Sequence, residues 1–223
     1  MAMRCIRARE GVLRLPGVYP PQDDTRMLIR AITRERLTPG TDVLDMGTGS
    51  GILAVCAARS GARVTAIDSA RRAVVCARVN AALAGQKVAV RLADLTALDR
   101  TYDVLITNPP YVPAPGGVPG SHTAARAWDA GHDGRAVVDR ICALAPGALR
   151  PGGVLLMVHS GMCGADATLR QLGRAGMTAE VTERAVVPFG PVLRSRLPWL
   201  RGRGLVGSGQ AGEELVVIRA ARP

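Results

Sequence analysis

The chain has 223 residues, 48% of them hydrophobic, enough to bury one substantial core and too few to require a second, so a single domain over 1–223 is expected. No run of 18 or more apolar residues exists, and "MAMRCIRAREGVLRLPG" lacks an apolar core and a small-residue cleavage site, so a cytoplasmic protein with no membrane partner is expected. A net charge of +11 invites nucleic acid or an acidic protein surface as partner, but 3% aromatic content supplies a base-stacking platform poorly, and nearly all the charge is arginine beside abundant Ala, Gly and Pro.

In chain order, apolar runs alternate with helical patterns, as in a parallel sheet covered by helices on both faces. "DVLDMG" (42–47) reads as a strand and "GILAVCAARSG" (51–61) as a helix that Gly61 ends. A second strand follows at 63–68, then a helix over 70–85 with Ser69 as N-cap and Gly85 at its close. Residues 87–94 and 102–108 read as the third and fourth strands. From 134 to 149 the apolar residues share one helical face, and Pro151-Gly152-Gly153 breaks that helix before the strand "VLLMVHS". A helix near 165–175, a short strand within "AEVTERAVV" and a last strand "ELVVIRAA" complete a seven-stranded, mostly parallel, Rossmann-like α/β sheet with a final antiparallel strand. Residues 188–212, rich in Arg, Gly and Pro, read as a long excursion between the last two strands.

The cysteines, Cys5, Cys56, Cys76, Cys142 and Cys163, are scattered and never spaced as metal ligands, so they are read as small apolar residues, with no metal or disulfide expected.

Between the first strand and its helix lies a loop with Gly47, Thr48, Gly49 and Gly51, where glycines permit a tight turn and let a ligand lie against main chain. Its pattern is GxGxG, not the GxGxxG that seats a pyrophosphate, and Asp45 stands two residues ahead. A carboxylate there repels an anion and attracts a cation. S-adenosyl-L-methionine, with a sulfonium, an ammonium and no phosphate, fits. Asp68, followed by Ser69, ends the second strand 21 residues beyond the first glycine, where an acid can accept both ribose hydroxyls. Asp94, or the backbone N–H of Leu95, can meet the adenine edge. Taken singly, each acid is equally well explained as a strand-ending turn residue.

These features resemble a class I S-adenosylmethionine-dependent methyltransferase, and "NPPY" at 108–111 resembles the HemK/PrmC family of protein glutamine N5-methyltransferases; adenine-N6 DNA methyltransferases carry the same tetrapeptide type. "GVYPPQDDTRMLI" (17–29) is similar to the VYxPxEDT segment of the family's short archaeal and eukaryotic branch. "GSHTAARAWDAGHDGRAVVDR" (120–140) is similar to the segment that follows NPPY there. The likeness covers most of 17–160 plus "GEELVVIRA". Asp23 replaces the usual Glu, "WDAG" the usual WxGG, and 188–212 has no counterpart. The resemblance implies methylation of the glutamine in the GGQ loop of a class I release factor, and in that branch a small zinc-binding partner protein.

NPPY suits such an acceptor chemically. An amide nitrogen is a poor nucleophile because its lone pair is delocalised, so it has to be oriented. The Asn108 side-chain carbonyl and the Pro109 backbone carbonyl can accept its two N–H bonds, Pro109 and Pro110 stiffen the backbone, and Tyr111 offers a face for a planar group. Thr25 and Asp24, with Tyr19 nearby, can close over the cofactor from a segment spanning 1–40, or act simply as a helix cap. His122 and His132 are read as loop residues near the substrate mouth, and Trp128 as a packing anchor. Two other acceptors, adenine in nucleic acid and a small metabolite, remain open, as does a cofactor-binding scaffold without catalysis.

Overall fold

The structure, a computed structural model, describes residues 12–96, 98, 100–120 and 124–223. Among them, seven strands form one sheet: β1 (Asp42–Met46), β2 (Arg63–Asp68), β3 (Val88–Leu92), β4 (Tyr102–Thr107), β5 (Leu149–Ser160), β6 (Thr178–Pro188) and β7 (Gly212–Ala221). Their order is β3-β2-β1-β4-β5-β7-β6; β7 runs antiparallel between β5 and β6, and the first five are parallel. Helices α1 (Asp23–Arg34), α2 (Ile52–Arg59) and α3 (Arg71–Leu83) pack side by side on one face, while α4 (Ala136–Ala148) and α5 (Ala165–Arg174) pack together on the other. Every residue of β1 is buried, as expected of a parallel strand covered on both faces. Cys56, Cys76, Cys142 and Cys163 are buried; Cys5 lies outside the described residues. No helix among the described residues is long and apolar enough to cross a membrane.

Several boundaries differ from the sequence reading. The N-cap position of α3 is Ala70, not Ser69, and no side chain caps the helix there; the Asp68 carboxylate accepts the Ala70 N–H at 2.8 Å. Strand β3 ends at Leu92, so Asp94 sits beyond it. Pro151-Gly152-Gly153 does not precede β5 but bulges within it: Tyr102 faces Leu149 while Val104 faces Val154, and the extra residues pair with the end of the chain through Gly152 N–H to Arg222 O (2.9 Å) and Arg222 N–H to Gly153 O (2.8 Å). The excursion at 188–212 contains a twelve-residue helix, α6 (Pro191–Gly202), with Pro191 at its first position where no N–H is needed.

At the amino edge of the sheet, Asp42 is buried and accepts from Arg63 (2.9 Å) and Arg150 (2.7 Å). Hydrogen bonding from Arg63 outweighs burial and holds its carboxyl well below the ordinary range. The opposite, carboxyl edge is where the loops open into a cavity.

Candidate active site

The loop after β1 is built by its own polar contacts. Asp45 Oδ2 accepts from Thr48 Oγ1 (2.6 Å) and from Ala54 N (3.1 Å), and the N–H groups of Gly47 and Thr48 both donate to Ile67 O at 3.0 Å. Gly49 N–H donates to Asp68 Oδ2 at 2.9 Å, tying the loop to the end of β2. Gly47 and Gly49 have φ of +70° and +55°, and a Cβ on either would meet nothing within 4 Å, so both leave bare backbone facing open space. Gly51 differs: at φ +82° its Cβ would lie 2.7 Å from Ala77 Cα, so this glycine lets α2 approach α3. Asn80 on α3 completes the support. Its amide donates to Leu13 O (2.9 Å) and Ser50 O (2.8 Å) and accepts from Leu13 N (2.7 Å).

A cavity of about 850 Å³ opens over this loop, within the range of pockets that enclose a small ligand. Of the residues proposed from sequence, Thr25, Gly47, Thr48, Gly49, Asp68, Ser69, Asp94, Leu95, Asn108, Pro109 and Pro110 line it. Three do not. Gly51 is engaged with α3. Asp45 is fully buried beneath the loop, with one oxygen lacking any partner, and burial pushes its carboxyl up to about 7, offset in part by Thr48 and Ala54 and reinforced by Asp68. Tyr111 is buried with its hydroxyl turned inward, so it offers no open face for a planar group. His132 is exposed and off the cavity; His122 lies outside the described residues.

Charge around the cavity is balanced locally. Burial raises the Asp68 carboxyl, against the Ala70 and Gly49 N–H groups and the charge of Arg126. At Asp94 burial is outweighed by hydrogen bonds from Thr96 and by Arg140, 2.9 Å away, and the carboxyl falls below its usual value. Arg126 and Arg140 both line the cavity; Arg140 closes the 120–140 segment that resembles the family, whereas nothing local distinguishes Arg126 from the many other arginines.

NPPY begins where β4 ends. The Asn108 side-chain N–H donates to Asp24 Oδ2 (3.0 Å), as do the hydroxyls of Tyr111 (2.9 Å) and Tyr19 (2.9 Å). The following segment is laced to residues 128–131 by Val112 N to Trp128 O (2.7 Å), Ala130 N to Val112 O (3.0 Å) and Ala114 N to Gly131 O (2.8 Å). Helix α6 braces both: Arg196 donates to Asp129 with two nitrogens (2.6 and 3.0 Å) and to Pro113 O (3.0 Å).

S-adenosylmethionine fits these residues. Bare glycine backbone faces the cavity, Asp68 and Asp94 supply acceptors, and Ala54 N–H, a donor that a phosphate would seek at the start of α2, is already taken by Asp45. The carboxylate expected to attract a cation lies beneath the loop instead, with the Ala54 N–H bonded to it.

The methyltransferase small domain family matches residues 11–117. A Methanocaldococcus jannaschii protein named for N5-glutamine methyl transfer is 31% identical over 78% of this chain and 88% of its own. The release factor glutamine methyltransferase of Mycolicibacterium smegmatis is 35% identical over 76% of this chain, which spans 63% of that longer relative. Among solved structures, the E. cuniculi Mtq2–Trm112 complex, responsible for methylation of the eRF1 translation termination factor, matches with a TM-score of 0.63 and 23% identity, covering 93% of this chain and 99% of its own, a likeness of fold. The T. thermophilus 16S rRNA N2 G1207 methyltransferase, solved with AdoMet and guanosine, matches at 0.57 and 22% identity over 94% of this chain and 46% of its own. With Gly47, Gly49, Asp68, Asp94 and Asn108 to Pro110 lining one cavity, the chain belongs to the HemK/PrmC family of S-adenosylmethionine-dependent methyltransferases.

Proposed function

We propose that the protein methylates the side-chain nitrogen of a glutamine in a protein, the GGQ loop of a class I release factor being the substrate. The observation that carries this reading is that Asn108 and Pro109 line the same cavity as Gly47, Gly49 and Asp68, so an amide acceptor and a cofactor can be held side by side. Asp68 would hold the ribose, Asp94 or the Leu95 N–H the adenine, and the bare backbone at Gly47 and Gly49 the amino-acid portion. When bound, S-adenosylmethionine supplies a methyl group on a sulfonium, which departs as a neutral thioether.

The Asn108 carbonyl and the Pro109 backbone carbonyl accept the two N–H bonds of the substrate amide and turn its nitrogen toward the methyl. As positive charge grows on that nitrogen, the two carbonyl dipoles stabilise it, and Pro109 and Pro110 keep the second carbonyl from rotating away. No strong base is required, because the proton becomes acidic only as the N–C bond forms and then passes to solvent, leaving the neutral N-methyl amide.

The described part of 1–40 supports a closing role, since Tyr19 and Thr25 wall the cavity, and we read 1–223 as one catalytic unit with α6 as its substrate-side brace. A small partner protein is part of the proposal. Its proposed seat is the side of the molecule where Val75, Val79 and Leu83, spaced four apart along α3, and Leu92 on edge strand β3 are exposed.

The test is to offer labelled cofactor with a GGQ-containing release factor, RNA and DNA in parallel. Label is expected on the glutamine. Asn108→Ala should lower transfer by about 10²-fold or more while cofactor affinity stays within about threefold. Label in nucleic acid alone, the reading the net charge of +11 favours, would overturn the proposal.

A further inference from the structure

Asp24 is 1% exposed, and its two oxygens have separate duties. Oδ1 serves the start of α1, accepting from Thr25 N (2.5 Å) and Thr25 Oγ1 (3.1 Å). Oδ2 touches no helix amide; it collects the hydroxyls of Tyr19 and Tyr111 and the side-chain N–H of Asn108, all between 2.9 and 3.0 Å. Gln22 is the N-cap of α1, paired with Thr25 in a capping box, and holding the first turn takes only the first oxygen of Asp24. The second gathers the first and last residues of NPPY onto one acceptor.

An asparagine amide has nearly the same shape when its oxygen and nitrogen are exchanged, so packing alone cannot choose between the two orientations. A carboxylate can choose, because it accepts and does not donate. With Asp24 Oδ2 at 3.0 Å from Asn108 Nδ2, the flipped amide would set carbonyl oxygen against carboxylate oxygen in a buried site. The nitrogen is therefore committed to Asp24, and the carbonyl is the end left to Asn108 where it lines the cavity. A flipped amide would present N–H groups to an incoming N–H₂ group and repel it.

We infer that Asp24 is the positioning residue that fixes which end of the Asn108 amide faces the cavity and so makes Asn108 an acceptor for the substrate N–H₂. The inference rests on the acceptor role proposed above for Asn108. Tyr19 belongs to the N-terminal segment and lines the cavity, so the oxygen that orients Asn108 also fastens that wall.

The test exchanges donor and acceptor across the contact. Asp24→Asn and Asn108→Asp are each expected to lower kcat by about 10²-fold, with cofactor affinity within about threefold. In the double variant the amide introduced at position 24 donates to the carboxylate introduced at position 108, whose other oxygen faces the cavity as acceptor. There kcat should recover at least about tenfold over the better single variant. A purely structural Asp24 predicts losses that add, and losses that add would overturn the inference. The Asn108 side-chain amide protons, followed by nitrogen-15 NMR, need no substrate: one should exchange slowly in the wild type and fast in Asp24→Asn. A slow proton that depends on Asp24, in an enzyme that labels no glutamine, would leave the positioning intact and the glutamine reading refuted. Should Asp24→Asn not fold, the wild type decides: a slow proton supports the inference, and two protons exchanging at the solvent rate overturn it.

Discussion

Replacing Gly51 and Gly49 by alanine should separate stability from ligand binding within one loop. At Gly51 the added Cβ would lie 2.7 Å from Ala77 Cα and 2.8 Å from Ala77 Cβ, and φ is +82°. The left-handed backbone costs a non-glycine residue about 1–2 kcal/mol and overpacking a further 1–3 kcal/mol, so about 3 kcal/mol of destabilisation is expected. For a chain of this size that corresponds to a fall in Tm of about 6–12 °C. At Gly49, φ is +55° and the added Cβ meets nothing within 4 Å, so the stability cost is backbone strain alone, about 1 kcal/mol. There the loss should fall on the cofactor instead, whose Kd is expected to rise at least about tenfold because the methyl projects where main chain and ligand meet. Scanning calorimetry without ligand and titration calorimetry with S-adenosylmethionine measure the two effects separately. A Gly51→Ala protein melting within about 2 °C of the wild type, or a Gly49→Ala protein as destabilised as Gly51→Ala, would refute the division of labour.

Glu213 is buried at the start of β7 with one oxygen unpaired, and burial first, then the charge of Asp24, raises its carboxyl to about 7, against a hydrogen bond from Ser160. A raised folded value means its stability contribution is full below the unfolded value and is lost as pH rises through 7, by at most about 3 kcal/mol. Denaturant midpoints at pH 5.5 and 8 should therefore differ less in Glu213→Gln than in the wild type; an unchanged difference sinks the argument. Arg196→Ala strips a buried Asp129 of its bidentate partner and should cost roughly 2 kcal/mol. Hydrogen exchange should quicken across Pro191–Gly202, and KM for the protein acceptor should rise more than KM for the cofactor. Unchanged exchange in α6 would show that the brace does not hold it.

The sheet and its glycine loop were legible because they rest on local pattern: a buried run, turn residues, a helix closed by glycine. Gly51 was legible as a glycine but not in its purpose, since Ala77 is brought beside it only by the packing of α2 on α3. The α6 helix was hidden by its prolines, although Pro191 at a first helical position and Leu193, Leu197 and Leu200 at helical spacing were signals of it. The bulge at Pro151-Gly152-Gly153 needed Arg222, 70 residues away, as its partner. Asp24 was read as a possible helix cap, but Gln22 holds that position and Asp24 lies inside the first turn; its bonds to Asn108 and Tyr111 span 84 and 87 residues, and no local rule reaches that far.

One side chain on α3 stands in for a missing strand. Asn80 pairs with both the N–H and the C=O of Leu13 as a neighbouring strand would, and spends its remaining N–H on Ser50 in the glycine loop. The N-terminal segment and the glycine loop thus share one fastening on α3, beside the separate bonds that each has. A fluctuation that lifts the N-terminal wall must carry the glycine loop with it or break the part-buried Asn80–Leu13 pair, while the buried bond to Ser50 stays with the loop. On this side a change in the packing of α3 reaches both walls through one side chain.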